Sequence, residues 1–460
     1  MRRSAVLAAA LALGLGGTTA VAVAADDPCT DVESTFDPAC VGSSIPDHLN
    51  TTAGREDPGY AVTADPSPEG AWQWLVGAVH EHSGYSDGDP SSTPRDYFTA
   101  ARTGSNGTGT GVALDFLWSS EHTDNAQLPI TTSAACLSPE LASCAHLDDN
   151  THWWKWAATL RQAREATTDE FTAVRGFEWT NDFFNHMNVY FSTNYRNVKI
   201  DGSYLSMDVM WDWLQTPVAE GGGADGLVTF NHPGSNPKLS PFDGDLPHSV
   251  LLGETQLDNW NEVAYVPAVA DRVVGMEVNG GEDIEWFIRA LRNGWRLAPV
   301  AAEDHHETSW ADERDHKTLL LARGRSPQDH YWAFANRRTI AIHHDLVSGE
   351  PGTKAVVPAI SFSADDGAHV LGSVVSVVSG GGPHSVRVDV DGLPAGYRVG
   401  LIGSLDGQSA PVQLGSDGGT HTFDVTEDQW WFAVVCEAGP NPCGSDQTYS
   451  AVTAPIWFDA

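Results

Sequence analysis

Histidines and carboxylates recur in this chain at the ends of apolar runs. The run Trp72 to Val79 is followed by His80-Glu81-His82-Ser83-Gly84-Tyr85-Ser86-Asp87-Gly88, and Val112 to Ser119 by Ser120-Glu121-His122. Phe171 to Phe177 leads into Glu178, and His186 comes just before the short run Val189 to Phe191. Gly226 to Asn231 ends at His232-Pro233, Arg272 to Val278 carries Glu277, and Arg296 to Ala302 leads into Glu303-Asp304-His305-His306. Taken singly, each has an ordinary explanation: a solvated His-x-His, a turn Asp before Gly, a Glu paired with an Arg. Six of the 18 histidines fall at these run ends or immediately after one, a coincidence that those separate explanations do not account for. Alternate residues of a strand share a face. His80 and His82 therefore point together, as do Asp304 and His306 while His305 turns away; of Glu121 and His122 one faces the centre, and His122 is the choice. Imidazole and carboxylate donors without cysteine suit Zn, Mn or Fe, and their number suits more than one ion. Glu81, Glu121, Glu303 and His305 are expected as supporting or surface groups.

The elements that would position these residues are strands alternating with helices from Trp72 onward. Thr93-Pro94-Arg95-Asp96 and Ser326-Pro327-Gln328-Asp329 each place a hydroxyl cap, a proline at the first helical position and an acid three residues after the cap. Ile284, Phe287, Ile288 and Leu291 share a helical face ahead of Gly294. Such alternation predicts a parallel, barrel-like α/β domain whose strand ends open on one face. Residues 131 to 150 read as an inserted surface loop. After about Gly349 the helix signals stop, and Ser373 to Val378, Ser385 to Val390, Tyr397 to Ile402, Thr420 to Val425, Trp430 to Cys436 and Val452 to Phe458 read as strands of a small all-β sandwich. The expected organisation is a signal peptide (1–25), an irregular N-terminal arm (26–70), the metal-binding barrel (71–349) and the sandwich (350–460).

Composition narrows the partners. The chain has 460 residues with 25 Lys+Arg against 61 Asp+Glu, a formal charge of −36, which argues against nucleic acid and anionic membranes. Met1-Arg2-Arg3, an apolar run from Ala5 to about Leu13 and Ala22-Val23-Ala24-Ala25 read as a secretory leader, with the general or twin-arginine route left open. Six cysteines fall in three close pairs: Cys29 with Cys40, Cys136 with Cys144, and Cys436 with Cys443. They are read as local disulfides of an exported protein, extracellular or periplasmic. The oligomeric state has no sequence signal.

His80-x-His82-Ser83-x-x-Ser86-Asp87-Gly88, Ser120-Glu121-His122, Gly176-x-Glu178, His186, His232-Pro233 and Asp304-x-His306 resemble, in order and spacing, the polymerase and histidinol phosphatase (PHP) metallohydrolases over residues 72 to 345. Lys317-Thr318-Leu319-Leu320, with a helix up to Asn336-Arg337-Arg338, resembles the branch named after carbaryl hydrolases. The resemblance implies a distorted seven-stranded β/α (TIM-like) barrel with a centre of two or three divalent ions. Its implied ligands are His80, His82, Asp87, His122, Glu178, His186, His232, Asp304 and His306. Where the family usually has Thr-Asp-His this chain has Ser120-Glu121-His122, and Glu277 stands where the family often has an acid; both glutamates are read as supporting.

Clustered ions would lower the pKa of a bridging water from about 15.7 towards 7. Glu178 is the candidate bridge, Asp304 a ligand able to accept the water's proton, and His122, His186 and His306 the set nearest the substrate oxygen. The family makes a phosphate ester the first expected substrate, with Arg175, Lys317 and Arg338 as the available cations. Their scarcity makes carboxyl-ester or carbamate hydrolysis the second reading. A third is an exported carbohydrate- or surface-binding protein with a structural metal, its sugars stacked on Trp153, Trp154, Trp156, Trp211, Trp213, Trp430 or Trp431.

Overall fold

Strands of two sheets and the helices between them bring the residues above together. The computed structural model describes residues 71–123, 153–181, 184–200, 203–233, 260–377, 382–405, 408–439, 443 and 449–460. The leader, the N-terminal arm and the 131–150 loop lie outside the described residues. So do two of the three expected disulfides, the pairing of Cys29 with Cys40 and that of Cys136 with Cys144; neither bond is seen among the described residues, where the one disulfide joins Cys436 and Cys443.

Strands are β1 (Gln73–Ala78), β2 (Phe116–Trp118), β3 (Glu121–His122), β4 (Thr172–Val174), β5 (Gly176–Asn181), β6 (Asn185–Tyr190), the short pair β7 (Lys199–Ile200) and β8 (Ser203–Tyr204), β9 (Leu227–Phe230), β10 (Val273–Glu277), β11 (Ala298–Val300), β12 (Lys317–Ala322) and β13 (Thr339–Ile342). The C-terminal strands are β14 (Ala359–Ala364), β15 (His369–Val370), β16 (Val374–Ser376), β17 (His384–Asp391), β18 (Tyr397–Leu405), β19 (Gln408–Gln413), β20 (Gly418–Phe423), β21 (Gln429–Glu437), β22 (Tyr449–Thr453) and β23 (Ile456–Asp459).

The result is a mixed, sheet-rich α/β protein. β1, β2 and β4 pair in parallel within an 11-stranded sheet, while β3 and β5 pair in parallel within a 6-stranded sheet ordered β11-β10-β9-β6-β5-β3. The tracks β2/β3 and β4/β5 thus pass from one sheet to the other. Gly176 sits at that crossing: a Cβ there would lie 2.5 Å from the Ser119 carbonyl, so only glycine permits the approach. Beyond β11, Ala301 N–H donates to Thr318 Oγ1 at 3.0 Å, and His82 N–H donates to His305 O at 2.9 Å. The chain after β11 therefore lies beside the extension of β1.

Two expectations are corrected. The domain is not uniformly parallel: β6 is antiparallel to both β5 and β9, and β12 is antiparallel to β1. The link from Asn181 to Asn185 is far too short for the crossover a parallel pair needs, which takes about a dozen residues. The single run Val452 to Phe458 is two strands, broken at Ala454-Pro455, where proline has no N–H to give to a ladder. β13 also pairs with β22, so the large sheet continues from the half that carries the histidine-rich strand ends into the C-terminal strands. There it faces the 4-stranded sheet β15-β14-β17-β20, and Ile360, Phe362, Val386 and Val388 share a core with Val399, Leu401, Trp431 and Phe458.

The helix signals hold locally. Pro94–Thr103 starts with a capping box in which Thr93 N–H donates to Asp96 Oδ2 at 2.7 Å, and it ends at Gly104 with φ 69°. Pro327–Ala335 starts with the reciprocal Ser326 and Asp329 box. Helix Gly281–Arg292 buries Ile284, Phe287 and Leu291. No described helix is long and apolar enough to cross a membrane.

Candidate metal centre

The segment after β1 continues the strand alternation. His80 and His82 are fully buried and turn inward, while Glu81 points to the other side. Ser83 O then accepts from both Ser86 N–H at 3.1 Å and Gly88 N–H at 2.9 Å, a tight turn that brings Asp87 back over the histidines. Glu121 holds that turn: its carboxylate accepts from Ser83 Oγ at 2.6 Å, Ser83 N–H at 3.2 Å, Ser86 Oγ at 2.5 Å and Tyr97 OH at 3.2 Å. Glu121 therefore faces away from the centre and His122 towards it.

All nine residues of the expected ligand set come together. His82 Nε2 lies 2.8 Å and His80 Nε2 3.3 Å from Asp304 Oδ1. Glu178 Oε1 is 3.2 Å from His80 Nε2, 3.2 Å from His186 Nδ1 and 3.5 Å from His232 Nε2, while its Oε2 is 2.6 Å from His122 Nδ1. Asp87 Oδ1 is 3.2 Å from His122 Nε2 and 3.1 Å from His306 Nε2. Three overlapping groups, His82/Asp87/His122/His306, His80/His82/Asp304 and His122/Glu178/His186, each keep one donor atom per residue within 4.8 Å of the others.

These spacings suit shared cations. Donors bound to one ion at about 2.1 Å stand about 3.0–3.4 Å apart. His80 Nε2, His82 Nε2 and Asp304 Oδ1 are buried and form no hydrogen bond, although they converge on one point. Buried polar atoms are normally satisfied, so three aimed at one another call for a partner that protein does not supply. His232 and Asp304 have φ of 33° and 57°, left-handed conformations that cost about 1–3 kcal/mol each and are tolerated where the surrounding structure needs the side chain in place.

The protein charges alone set opposed protonation states. Burial and the neighbouring His122 hold His82 down at about 3, against the pull of Asp304. Burial works against the charge on His122 too, but Glu178 and Asp87 outweigh it and raise the ring to about 10. Burial opposes ionisation of Glu178 and Asp87, yet the surrounding imidazoles keep both carboxylates well below their usual range. A site that holds two bare carboxylates among imidazoles is chemically matched to divalent cations.

Supporting contacts orient the donors. Glu277 Oε1 is 2.6 Å from His80 Nδ1, and its Oε2 accepts the His232 N–H at 2.6 Å, so one carboxylate aims two donors. That arrangement holds a ligand histidine by its second nitrogen. His305 faces the opposite side, 2.9 Å from Asp315 Oδ1. Sequence reasoning missed Asn231, which donates to Glu178 Oε1 at 2.8 Å, and Thr180, whose Oγ1 is 2.7 Å from His122 Nδ1. Thr180 was legible as the residue two beyond Glu178, on the same strand face; Asn231 had no signal of its own.

None of the expected substrate cations reaches the centre. Arg175 is buried, donates to the carbonyls of Trp156, Ser192 and Thr193, and stacks on Trp156. Lys317 is buried and donates to Asp312 O and Asp315 O. Arg338 lies over Trp72. Trp156, Trp211, Trp213, Trp430 and Trp431 are all buried and offer no platform for sugars.

No protein-family model matches the chain. No curated protein matches it either. Among solved structures it is similar to a two-domain protein from Bacteroides vulgatus that contains a predicted PHP-like metal-dependent phosphoesterase, at 16% identity and a TM-score of 0.39, over 84% of this chain and 98% of that one.

Proposed function

We propose that this chain is an exported, PHP-type metal-dependent hydrolase acting on a small ester, with a phosphate ester as the first substrate class. The observation that carries the reading is the convergence of His80 Nε2, His82 Nε2 and Asp304 Oδ1, buried and without hydrogen bonds, within a ring of nine imidazole and carboxylate side chains. The tracks β1, β2/β3, β4/β5, β6, β9, β10 and β11 are read as the seven strands of a distorted barrel, followed from about residue 350 by a β-sandwich. The Cys436–Cys443 disulfide supports an oxidising compartment, in keeping with a secretory leader.

His80, His82 and Asp304 would hold one divalent ion, His122, Glu178 and His186 another, and Asp87 with His122 and His306 a third position. Zn, Mn or Fe bound there supplies Lewis acidity and hydroxide at neutral pH. Glu178, whose carboxylate oxygens lie 3.2 Å from His80 Nε2 and 2.6 Å from His122 Nδ1, would be the carboxylate shared between the first two positions. Asp304, half-buried at the rim, is the carboxylate placed to take a proton from an attacking water. His306, also partly open, lines the approach of the substrate oxygen, and Glu277 keeps His80 and His232 aimed inward.

The absence of a free Lys or Arg among the expected cations favours a second reading, a carboxyl-ester or carbamate substrate whose single developing negative charge needs no cationic clamp. The test is elemental analysis of the purified protein followed by rates on p-nitrophenyl phosphate, bis-p-nitrophenyl phosphate and p-nitrophenyl acetate, with and without chelator. Two or three equivalents of metal with chelator-sensitive turnover are expected, and the fastest substrate ranks the ester classes. A chain that takes up no metal after reconstitution overturns the proposal.

A further inference from the structure

A third set of histidines lies apart from this centre. His316 immediately precedes β12 and His343 immediately follows β13, and the antiparallel register pairs Lys317 with Ile342. Residues 316 and 343 therefore fall side by side, and His344 opens the 3-10 turn His344–Leu346 against them. The ring centroids of His316 and His343 are 4.2 Å apart, as are those of His343 and His344, and the His316 and His344 rings stack at 5.3 Å. One nitrogen from each lies within 4.8 Å of the other two, so small side-chain rotations reach the roughly 3.4 Å spacing of tetrahedral ligands.

The surroundings prepare these rings as donors. His343 Nδ1 is 3.1 Å from Asp345 Oδ1, while Asp345 Oδ2 accepts from Tyr397 OH at 2.9 Å and Ser450 Oγ at 2.6 Å. A carboxylate anchored in this way fixes the tautomer that leaves Nε2 with its lone pair. Two partners compete for His316 Nδ1: the His344 N–H at 3.2 Å makes it an acceptor, and Glu303 Oε1 at 3.2 Å makes it a proton donor. The second tautomer frees His316 Nε2. Burial, then the two neighbouring imidazoles, hold His316 at about 3, so the ring is neutral, as a ligand must be. His344 is exposed and gives an ion a way in.

We propose that His316, His343 and His344 form a separate site for one borderline divalent cation, Zn2+ foremost, with a fourth position open to water. Three imidazoles without thiolate suit Zn2+ over Ca2+ or Mg2+, which prefer oxygen. The ion would tie the start of β12 and the end of β13 to the turn that Asp345 holds against the C-terminal strands. The proposal stands independently of the ester-hydrolase reading.

Chelator-stripped protein is titrated with Zn2+ against a chromophoric chelator as wild type, His344→Ala, the His316→Ala/His344→Ala double variant and the His82→Ala/Asp304→Asn double variant. The two variants lacking His344 are expected to bind one equivalent fewer than wild type, and the last to keep that equivalent. Unchanged stoichiometry and affinity in both His344 variants overturns the site. Co2+ gives a second readout: the visible absorption of Co2+-saturated His82→Ala/Asp304→Asn should fall by one equivalent's share when His344→Ala is added, and an undiminished spectrum also overturns the proposal.

Discussion

His80, His82, Asp304 and His306 face one another at the strand ends, whereas Glu81, Glu303 and His305, their neighbours in the chain, face the other side with Asp315 and Lys317. Both regions are built from the same residue types and both keep donor atoms within 4.8 Å. On the far side the charges are settled within the protein. His305 Nε2 is 2.9 Å from Asp315 Oδ1, Glu303 Oε1 accepts the His316 N–H at 2.5 Å, and the buried Lys317 ammonium lies 3.8 Å from Asp315 Oδ2. Burial pushes Glu81 up to about 8, so it stays protonated at neutral pH. On the near side, among the described residues, the carboxylates have only imidazoles beside them and no lysine or arginine, and donors are left aimed at one another. The two clusters, alike in residue types, thus differ in whether a lysine already neutralises them: the far side is a structural network, and the near side is the candidate metal centre.

The sharpest way to break this comparison is to remove near-side donors. His82→Ala and Asp304→Asn should each lose metal and lower kcat/KM by about 10^3-fold or more, the several kcal/mol a catalytic ion provides, with circular dichroism unchanged. Wild-type turnover in either variant would end the assignment. On the far side, Lys317→Met should remove the buried ammonium beside Asp315 and leave the His305 ring as its remaining cationic partner, at a cost of about 3–5 kcal/mol in urea unfolding, while metal content stays the same. Unchanged stability would show that Lys317 does not neutralise the network. Glu277→Gln tests the support of the near side: metal affinity should fall about 10- to 100-fold, read by competition with a chelator. The smallest effect concerns pH. Burial opposes protonation of His305, but Asp315 and Glu81 raise it from 6.5 to about 9. Its contribution to stability is complete below pH 6.5 and is lost as pH rises through 9. Asp315→Asn should flatten the fall in unfolding free energy across that window; an identical pH profile would contradict the pairing.

The site was more legible than the sheet that carries it. His80, His82 and Asp87 sit within one short segment, and strand alternation is a local property, so the inward face could be read without knowing any partner. The capping boxes at Thr93 and Ser326 were equally local. The strand Lys317–Ala322 was not separated from the helix that follows it, because a short apolar run carries no period that distinguishes the two. The reversal at β6 was missed since nothing in Val189 to Phe191 reports direction. Lys317 read as a possible substrate contact, and its burial beside Asp315 depends on the pairing of β12 with β1 and β13.

What the sequence by itself determined is which residue types stand at each strand end and which of two neighbours faces inward, since side chains alternate along any extended backbone. Only the tertiary structure decided that His80 meets Glu178 and Glu277, that His122 meets His306, and that Asp315 meets a lysine rather than a metal. Those contacts join residues brought together by strand pairing across the two sheets, and pairing is a property of the whole assembled core rather than of any one segment.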